Sequence, residues 1–448
     1  MGSKWEKIKL KEVVDIITTK VDVSQISLCD YISTENMLTN FGGISIANSK
    51  PSTGKITKFH SGDILFSNIR TYFKKLWLAD RTGGCSNDVI VFRPKKNINS
   101  NYILSVLMDQ KFIEHTVLTS KGTKMPRGDK TAILDYEFNL APDKYCQHIA
   151  KTNTLIFSKL KSNEVINKSL EQMSQTLFKS WFVDFDPVID NALDAGNPIP
   201  ETLQSRAELR QKVRNSTDFK PLPAEIRSLF PSEFEETELG WVPKGWESET
   251  FDSFCDLIQS GGTPSRKETS FWDGGTIKWL SSGEVKGKIV LDTKEKITDI
   301  GLLNSSSKLW KKYTTVVAMY GATAGEVCII GDKMAANQAC CGLYSKTFPF
   351  FVYNFVCNKA NELASKATGS AQQNLNKLII STTKFICPSN DIITIFEDNV
   401  TPLFMKWFSN SSENNTLTAL RDTLLPKLIS GELSLEALPD LTTDTEAA

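Results

Sequence analysis

The chain has 448 residues, enough for about three domains of ordinary size. Hydrophobic residues make up 40% of it, charged residues 23%, and the formal net charge is zero, which excludes a chain that is disordered throughout. The nine cysteines are odd in number and form no CxxC pair, which excludes a disulfide framework or a zinc ribbon and favours a reducing cytoplasm. The sequence contains no run of eighteen apolar residues, so it predicts no membrane-spanning helix.

Residues 1–146 are predicted to form a first module of mixed α and β structure, and this segment carries an excess of positive charge. Short β-type runs such as 88–92 alternate with Gly, Ser and Asn turns. A basic cluster at 70–75 and a donor-rich loop at 118–130 suit hydrogen bonding to phosphates and base edges, although an ordinary surface loop has a similar composition. The candidate DNA contacts here are Arg70, Lys74, Lys121, Thr123, Lys124, Arg127 and Lys130.

A long helix is predicted over 147–183, because apolar residues recur at three- and four-residue spacing. Asn163 interrupts this stripe. Such a stripe is typical of a coiled-coil seam, in which a buried polar residue fixes the register. The predicted stripe is Ile156, Leu160, Ile166, Leu170, Met173, Leu177 and Trp181.

The second half of the chain is predicted to repeat this order. Residues 184–235 are acidic and rich in proline, which indicates a linker with one short helix at 202–213. A second module follows at 236–390, a second long helix at 391–435, and an acidic tail at 436–448 that we expect to be disordered. Candidate DNA contacts in the polar loop 366–377 are Ser370, Gln372, Gln373, Asn374 and Lys377.

The two halves are related by an internal repeat. A shift of 247 residues places 154–182 on 401–429 without a gap and pairs Asn163 with Asn410. The same shift pairs Gly122 with Gly369 and Lys130 with Lys377. A tandem duplication explains a constant shift over this length.

Two helices with matching stripes are predicted to pair antiparallel as a coiled coil between the modules, which makes the fold α+β. The alternative is that each helix packs only on its own module. The predicted seam consists of Leu160, Asn163, Leu170, Leu177, Trp407, Asn410, Leu417 and Leu424.

Catalytic motifs are missing. The chain has only three histidines, all in the first half, and neither a phosphate-binding GxxxxGK[ST] loop nor the NPPY tetrapeptide of an amino-methyltransferase occurs. The pair Cys340 and Cys341 is predicted to be buried apolar cysteine rather than a reactive thiol. We therefore predict no catalytic residue, no metal site and no cofactor in this chain.

Three segments resemble the specificity subunits of type I restriction-modification systems. They read QTLFKSWFVDFDPV at 175–188, ELGWVPKGWE at 238–247 and LRDTLLPKLISGEL at 420–433, and their order along the whole chain matches that family. The first module departs from the pattern, because it opens at Trp5 without the lead-in that precedes Trp246.

The resemblance implies a non-catalytic subunit whose two recognition domains each bind one half of a split, asymmetric DNA target. It also implies that the paired helices act as a spacer and dock two methyltransferase subunits, that motor-nuclease subunits join the complex, and that S-adenosylmethionine, ATP and Mg²⁺ belong to those partners. Two alternatives remain open. One is a standalone DNA methyltransferase or nuclease whose catalytic site is not recognisable, and the other is a coiled-coil scaffold with no role in DNA binding.

Overall fold

The computed structural model describes residues 5–366 and 375–433, which divide into two units. Unit 1 comprises the residues up to Ser162 together with those from Asn414 onward, and unit 2 comprises Asn163–Glu413. Each unit contains one predicted module, and two long helices each begin in one unit and end in the other. The acidic tail predicted at 436–448 lies outside the described residues.

Unit 1 begins with a β-rich segment, continues with three short helices and leads into the first long helix. Its strands β6 and β9 are almost entirely buried apolar runs, which is typical of strands covered on both faces. Asn99 accepts a hydrogen bond from the backbone N–H of Asn101 and so caps the first helix. The elements are β1 (Glu6–Lys9), β2 (Val14–Ile16), β3 (Lys20–Asp22), β4 (Tyr31–Ile32), β5 (Lys55–Phe59), β6 (Ile64–Ser67), β7 (Leu76–Leu78), β8 (Gly83–Cys85), β9 (Val89–Pro94), α1 (Ser100–Met108), α2 (Gln110–Leu118), α3 (Lys130–Leu134), β10 (Glu137–Leu140) and α4 (Asp143–Phe182).

Two four-stranded sheets form the body of unit 1, in the orders β2-β9-β6-β7 and β3-β5-β8-β4, and β1 pairs with β10. The main core lies between the first of these sheets and helices α1 and α2, where Phe66, Phe92 and Phe112 pack together. Residues near the end of the chain complete this core, because Leu425 and Leu428 are buried within it. Burial of this kind contributes about 2 kcal/mol for each large apolar side chain.

Unit 2 has the same general plan with more strands. Its elements are α5 (Asp186–Ala195), α6 (Glu201–Arg214), α7 (Ala224–Arg227), β11 (Phe234–Thr237), β12 (Gly240–Pro243), β13 (Glu247–Thr250), α8 (Phe251–Phe254), β14 (Leu257–Ser260), β15 (Ile277–Leu280), β16 (Ile289–Val290), β17 (Glu295–Ile297), α9 (Asp299–Leu303), β18 (Thr315–Ala318), β19 (Val327–Ile330), β20 (Ala335–Ala336), β21 (Cys340–Tyr344), α10 (Pro349–Lys366), α11 (Lys377–Ser381), β22 (Lys384–Cys387) and α12 (Asn390–Ser430).

The largest sheet of unit 2 has the strand order β14-β21-β18-β19-β16, beside a three-stranded sheet β17-β15-β20. In unit 2, a core rich in phenylalanine packs the segments of α4 and α12 that belong to this unit against its other elements. Phe178 of α4 contacts Phe351 and Phe355 of α10 and Phe396 of α12, with ring centroids 5.4–5.8 Å apart. The predicted α+β class with two tandem mixed modules is confirmed.

The segment 184–235 differs from the predicted linker, because it contains three helices rather than one. Helix α6 covers the predicted position, but α5 and α7 come in addition. Arg206 and Arg210 of α6 each form a bidentate pair with an aspartate twenty positions earlier, namely Asp186 and Asp190 of α5, at 2.6–2.9 Å. Buried carboxylates are stable only when paired, and these ion pairs hold α5 against α6.

The long helices pair antiparallel, as predicted. In unit 2, Asn163 Nδ2 donates to Glu413 Oε2 at 2.8 Å, and Asn410 Nδ2 donates to Asn167 Oδ1 at 2.9 Å. Residue numbers therefore rise along one helix as they fall along the other. The helices also pack on the modules, because residues from both lie in the core of each unit. The alternative, in which each long helix packs only on its own module, is therefore wrong.

The prediction that Ile166 and Met173 belong to the covered stripe of the first long helix is wrong. Ile166 and Met173 are exposed, and the covered positions beside them are Asn167, which accepts from Asn410 of α12, and the buried Ser174, which donates to Asn354 of α10. The contact stripe keeps its seven-residue period through polar residues, so a search for apolar residues alone selects the wrong neighbours. Among the described helices, none has the length and apolar character that a membrane crossing requires.

Candidate nucleic-acid interface

A tight turn at the end of β6 presents basic side chains in unit 1. Arg70 (φ 50°) and Lys74 (φ 53°) both adopt the left-handed conformation, and residues 71–73 between them form a 3₁₀ turn. The N–H of Phe73 donates to the carbonyl of Arg70 and that of Lys74 to the carbonyl of Thr71, each at 2.9 Å. Each left-handed non-glycine residue costs about 1–2 kcal/mol, so the surroundings must hold the turn in place.

The loop 118–130 attaches to this turn. Lys121 and Arg127 exchange backbone hydrogen bonds at 2.8 and 2.9 Å, which closes the loop on itself. The N–H of Arg70 then donates to the carbonyl of Pro126 at 2.9 Å. The structure therefore brings together the two clusters that the sequence placed fifty residues apart. We call Arg70, Lys74, Lys121, Lys124 and Arg127 the basic surface.

Charge on the basic surface is only partly neutralised. Lys121 pairs with Asp129 at 2.6 Å, and this hydrogen bond raises the pKa of the lysine while it lowers that of the aspartate. Arg127 lies 3.0 Å from Asp88. Within the described ranges, Arg70, Lys74 and Lys124 form no ion pair, so the surface keeps a net positive charge suited to phosphates.

The other two candidates in this loop have different positions. Thr123 is exposed near the tip of the loop, and Lys130 is the exposed first residue of α3. The side chain of Asp129 caps α3 by accepting from the N–H groups of Thr131 and Ala132, so Lys130 belongs to a helix start rather than to the loop itself.

Asn68 is a residue of this region that the sequence did not reveal. Its carbonyl accepts from the N–H of Gly128 at 3.1 Å, which fixes the loop to the strand end. Its side chain is buried and the oxygen Oδ1 has no hydrogen-bond partner. A Cβ at Gly128 would lie 2.7 Å from that oxygen, so the contact requires glycine. A single asparagine after a strand carries no pattern that would identify it.

Unit 2 has the same arrangement at the end of β18. Met319 occupies the position of Asn68, and its carbonyl accepts from the N–H of Leu375 at 2.8 Å. Gly321 (φ 68°) and Gly325 (φ 87°) take the places of the two left-handed cationic residues. The turn and its attachment to the later loop are thus repeated, while the side chains differ.

Of the candidate DNA contacts in the loop 366–377, the structure describes only Lys377. Ser370, Gln372, Gln373 and Asn374 lie outside the described residues. Lys377 is the exposed first residue of α11, whose cap is the side chain of Asn376.

Of the predicted seam residues, Leu170 and Leu177 pack on the core of unit 2 and Leu424 packs on the core of unit 1. Asn163, Trp407 and Asn410 are buried, and Trp407 packs on Phe404 and Tyr353. The five leucines of the predicted seam are partly buried: Leu160, Leu170, Leu177, Leu417 and Leu424.

Over 5–366 and 375–433, no group of three His, Cys, Asp or Glu side chains could hold a metal ion. Cys340 and Cys341 are fully buried, and burial raises the pKa of the Cys341 thiol to about 12, so it is an apolar core residue at neutral pH.

Comparison with known proteins agrees with this arrangement. The sequence profile described as "Type I restriction modification DNA specificity domain" matches residues 2–172 and 243–401. The chain is 27% identical over 461 residues to the type I restriction enzyme HindI specificity subunit of Haemophilus influenzae, covering 96% of this chain and 100% of that one. It is 21% identical to the MjaIX specificity subunit of Methanocaldococcus jannaschii, covering 97% and 94%.

A solved structure supports the fold. The crystal structure of a type I restriction-modification system S subunit from M. genitalium superposes with a TM-score of 0.56 at 12% identity, and 96% of each chain is covered. With a profile match over most of its length, divided between the two repeats, this chain belongs to the family of type I restriction-modification DNA specificity proteins.

Proposed function

We propose that this chain is the DNA-recognition subunit of a type I restriction-modification complex, in which each module contacts one half of a two-part, asymmetric target on double-stranded DNA. The observation that carries the proposal is the repeated turn. In both units a strand end, at Asn68 and at Met319, holds a polar loop by the same backbone hydrogen bond. A duplicated scaffold with different side chains is suited to two different half-sites.

The chain itself carries out no reaction in this proposal. The methyl transfer and DNA cleavage belong to two methyltransferase subunits and to restriction subunits that dock on the long helices, and S-adenosylmethionine, ATP and Mg²⁺ bind to those partners. The basic surface contributes phosphate contacts, which position the protein, and neighbouring polar groups supply base contacts.

A module exchange tests the proposal. Residues 1–146 are replaced by the corresponding module of another specificity protein, and methylated adenines are mapped across the genome of cells that contain the partner subunits. We expect one half of the methylated sequence to change and the other half to stay as it was. A change in both halves, or in neither, would contradict independent recognition by the two modules.

A second measurement separates this function from a standalone enzyme. The purified chain is incubated alone with DNA and labelled S-adenosylmethionine, and then again with the methyltransferase subunit. We expect label in the DNA only in the second reaction. Methyl transfer by the chain alone would favour the standalone methyltransferase.

A further inference from the structure

We infer that Tyr72 and Phe73 form an aromatic wedge that unstacks a base step in the half-site of unit 1. This inference rests on the proposed function and concerns the same surface. The two residues occupy the tip of the turn between Arg70 and Lys74, and they are 48% and 38% exposed. Within the described part of unit 1, no other aromatic side chain is exposed to this extent.

The fold covers these rings only in part, since about half of Tyr72 and over a third of Phe73 remain exposed. Their centroids lie 4.8 Å apart at an interplanar angle of 54°, so the two rings contact each other without stacking face to face. A ligand that covers two adjacent aromatic rings removes apolar area from water, which favours binding.

The backbone that presents the rings is held on both sides. The N–H of Asn40 donates to the carbonyl of Phe73 at 3.0 Å, and the N–H of Phe41 donates to that of Lys74 at 2.8 Å. On the other side, Arg70 is bound to the loop that carries Lys124 and Arg127. A turn fixed in this way can insert a side chain without first paying the entropy of ordering it.

The surrounding charge identifies the partner as nucleic acid. The rings project from the basic surface, where three cations have no acidic partner among the described residues. Lys75 adds a further amino group, 6.0 Å from the ring centroid of Phe73. A polyanion with stackable bases meets both the charge and the exposed aromatic faces, and apolar wedges at base steps are an established way to bend DNA.

The repeat offers an independent observation. At the matching turn of unit 2, Tyr320 precedes Gly321 and is 41% exposed. Tyr320 occupies the place of Ile69 rather than that of Tyr72 or Phe73. An exposed aromatic ring therefore lies at the strand end of each unit, but at a different position of the turn.

The test uses the full chain assembled with its methyltransferase subunit and a duplex that carries the methylated target, with 2-aminopurine at successive positions of the unit 1 half-site. The fluorescence of 2-aminopurine rises when its neighbours unstack. We expect binding to raise the emission several-fold at one step. The double variant Tyr72→Ala and Phe73→Ala, which removes both rings and leaves no side chain large enough to insert, should lose that rise and bind about tenfold more weakly.

Three comparisons make the outcome decisive. Phe73→Trp should keep the emission change, because tryptophan keeps an aromatic ring at this position. Trp241→Leu, at a side chain in unit 2 that is 38% exposed, should bind and fluoresce as the unchanged chain does. The salt dependence of binding should remain in the double variant, since the basic surface is intact.

The possible failures differ from one another. Absence of specific binding by the unchanged assembly would contradict the proposed function itself. Specific binding without any rise in emission, or with the same rise in the double variant, would overturn the wedge and leave the proposed function standing. If the unchanged assembly shows no rise in emission and the double variant only binds more weakly, the rings make an ordinary apolar contact, which also overturns the wedge.

Discussion

The side-chain amide of Asn410 donates a hydrogen bond of 2.9 Å to Oδ1 of Asn167 across the seam of the two long helices. Asn410 is almost completely buried, so water cannot replace this partner. Asn167 also donates to Ser411 at 3.5 Å, and the same stretch of helix contains the bond from Asn163 to Glu413. The middle of the seam is therefore a polar layer between apolar ends.

Substitution of Asn410 by Ala should destabilise the chain by about 1–3 kcal/mol, because it leaves a partly buried polar group of Asn167 without its partner. Urea denaturation at 25 °C measures the loss. The exposed Asn415→Ala is the matched control and should change stability by less than about 0.5 kcal/mol. Replacing both Asn167 and Asn410 by Leu should recover stability, and a double variant weaker than Asn410→Ala would contradict this account.

A carboxylate in the apolar part of the seam should destabilise the chain more than the loss of the Asn410 side chain does. Leu170→Asp or Leu417→Asp places a charge at a partly buried helix contact, and we expect a loss of several kcal/mol in the free energy of unfolding. Val165→Asp lies on the same helix at an exposed position and serves as the control. Equal effects at positions 165 and 170 would show that the seam does not exclude water.

Charge reversal on the basic surface should weaken DNA binding and reduce its dependence on salt. Each lost phosphate contact removes close to one unit from the slope of log K against log salt, so Lys124→Glu with Arg127→Glu should lower the slope by about two. A carboxylate at position 127 would also face Asp88. Binding measured between about 50 and 200 mM salt tests this, with the exposed Lys144→Glu as control. An unchanged slope would remove the loop from the interface.

Glu397 should make the stability of unit 2 depend on pH. It lies on α12, accepts from the N–H groups of Phe350 and Phe351 at 2.9 and 2.8 Å, and so caps α10. Burial raises its pKa from 4.5 to about 7, against the opposing effect of these two hydrogen bonds. The folded chain therefore binds a proton that the unfolded chain has released, and stability should fall as pH rises from about 4.5 to 7, by roughly 3 kcal/mol.

Denaturation across that pH range, compared with Glu397→Gln, measures the contribution. The glutamine cannot ionise, so the difference between the two proteins should be largest at neutral pH and smallest near pH 5. A constant difference across the range would mean that Glu397 keeps an ordinary pKa.

Much of the fold could be predicted, because duplication and helical period are local properties of the sequence. The shift that aligns Asn163 with Asn410 already implied matched helices. The stripe is harder to predict, because covered helix positions such as Asn167 and Ser174 are polar while the neighbouring Ile166 is apolar but exposed. Only the partner helix decides which face is covered.

The candidate interface shows a similar limit. Composition alone makes Arg70 and Lys124 candidate DNA contacts. Their proximity, however, depends on the hydrogen bond from the N–H of Arg70 to the carbonyl of Pro126, and these two residues lie far apart in the sequence. The left-handed conformation of Arg70 and Lys74 could not be predicted either, since their glycine counterparts are in the other half and the halves align there only with gaps. In 184–235, prolines suggested a linker, whereas the pairing of Arg206 with Asp186 needs a contact between two separate helices.

The core of unit 1 includes Leu425, Leu428 and Ile429 of α12, whereas its other buried residues come from the first 150 residues of the chain. During synthesis from the N-terminus, the early part must wait until residues 163–424 have been made, which takes roughly 13 to 50 s at about 5–20 residues per second. Unit 2 is continuous in sequence and can close first. Unit 2 can therefore fold during synthesis, although most of its sequence follows that of unit 1. Until the end of α12 has been made, unit 1 leaves exposed the apolar residues that this part of the helix will cover.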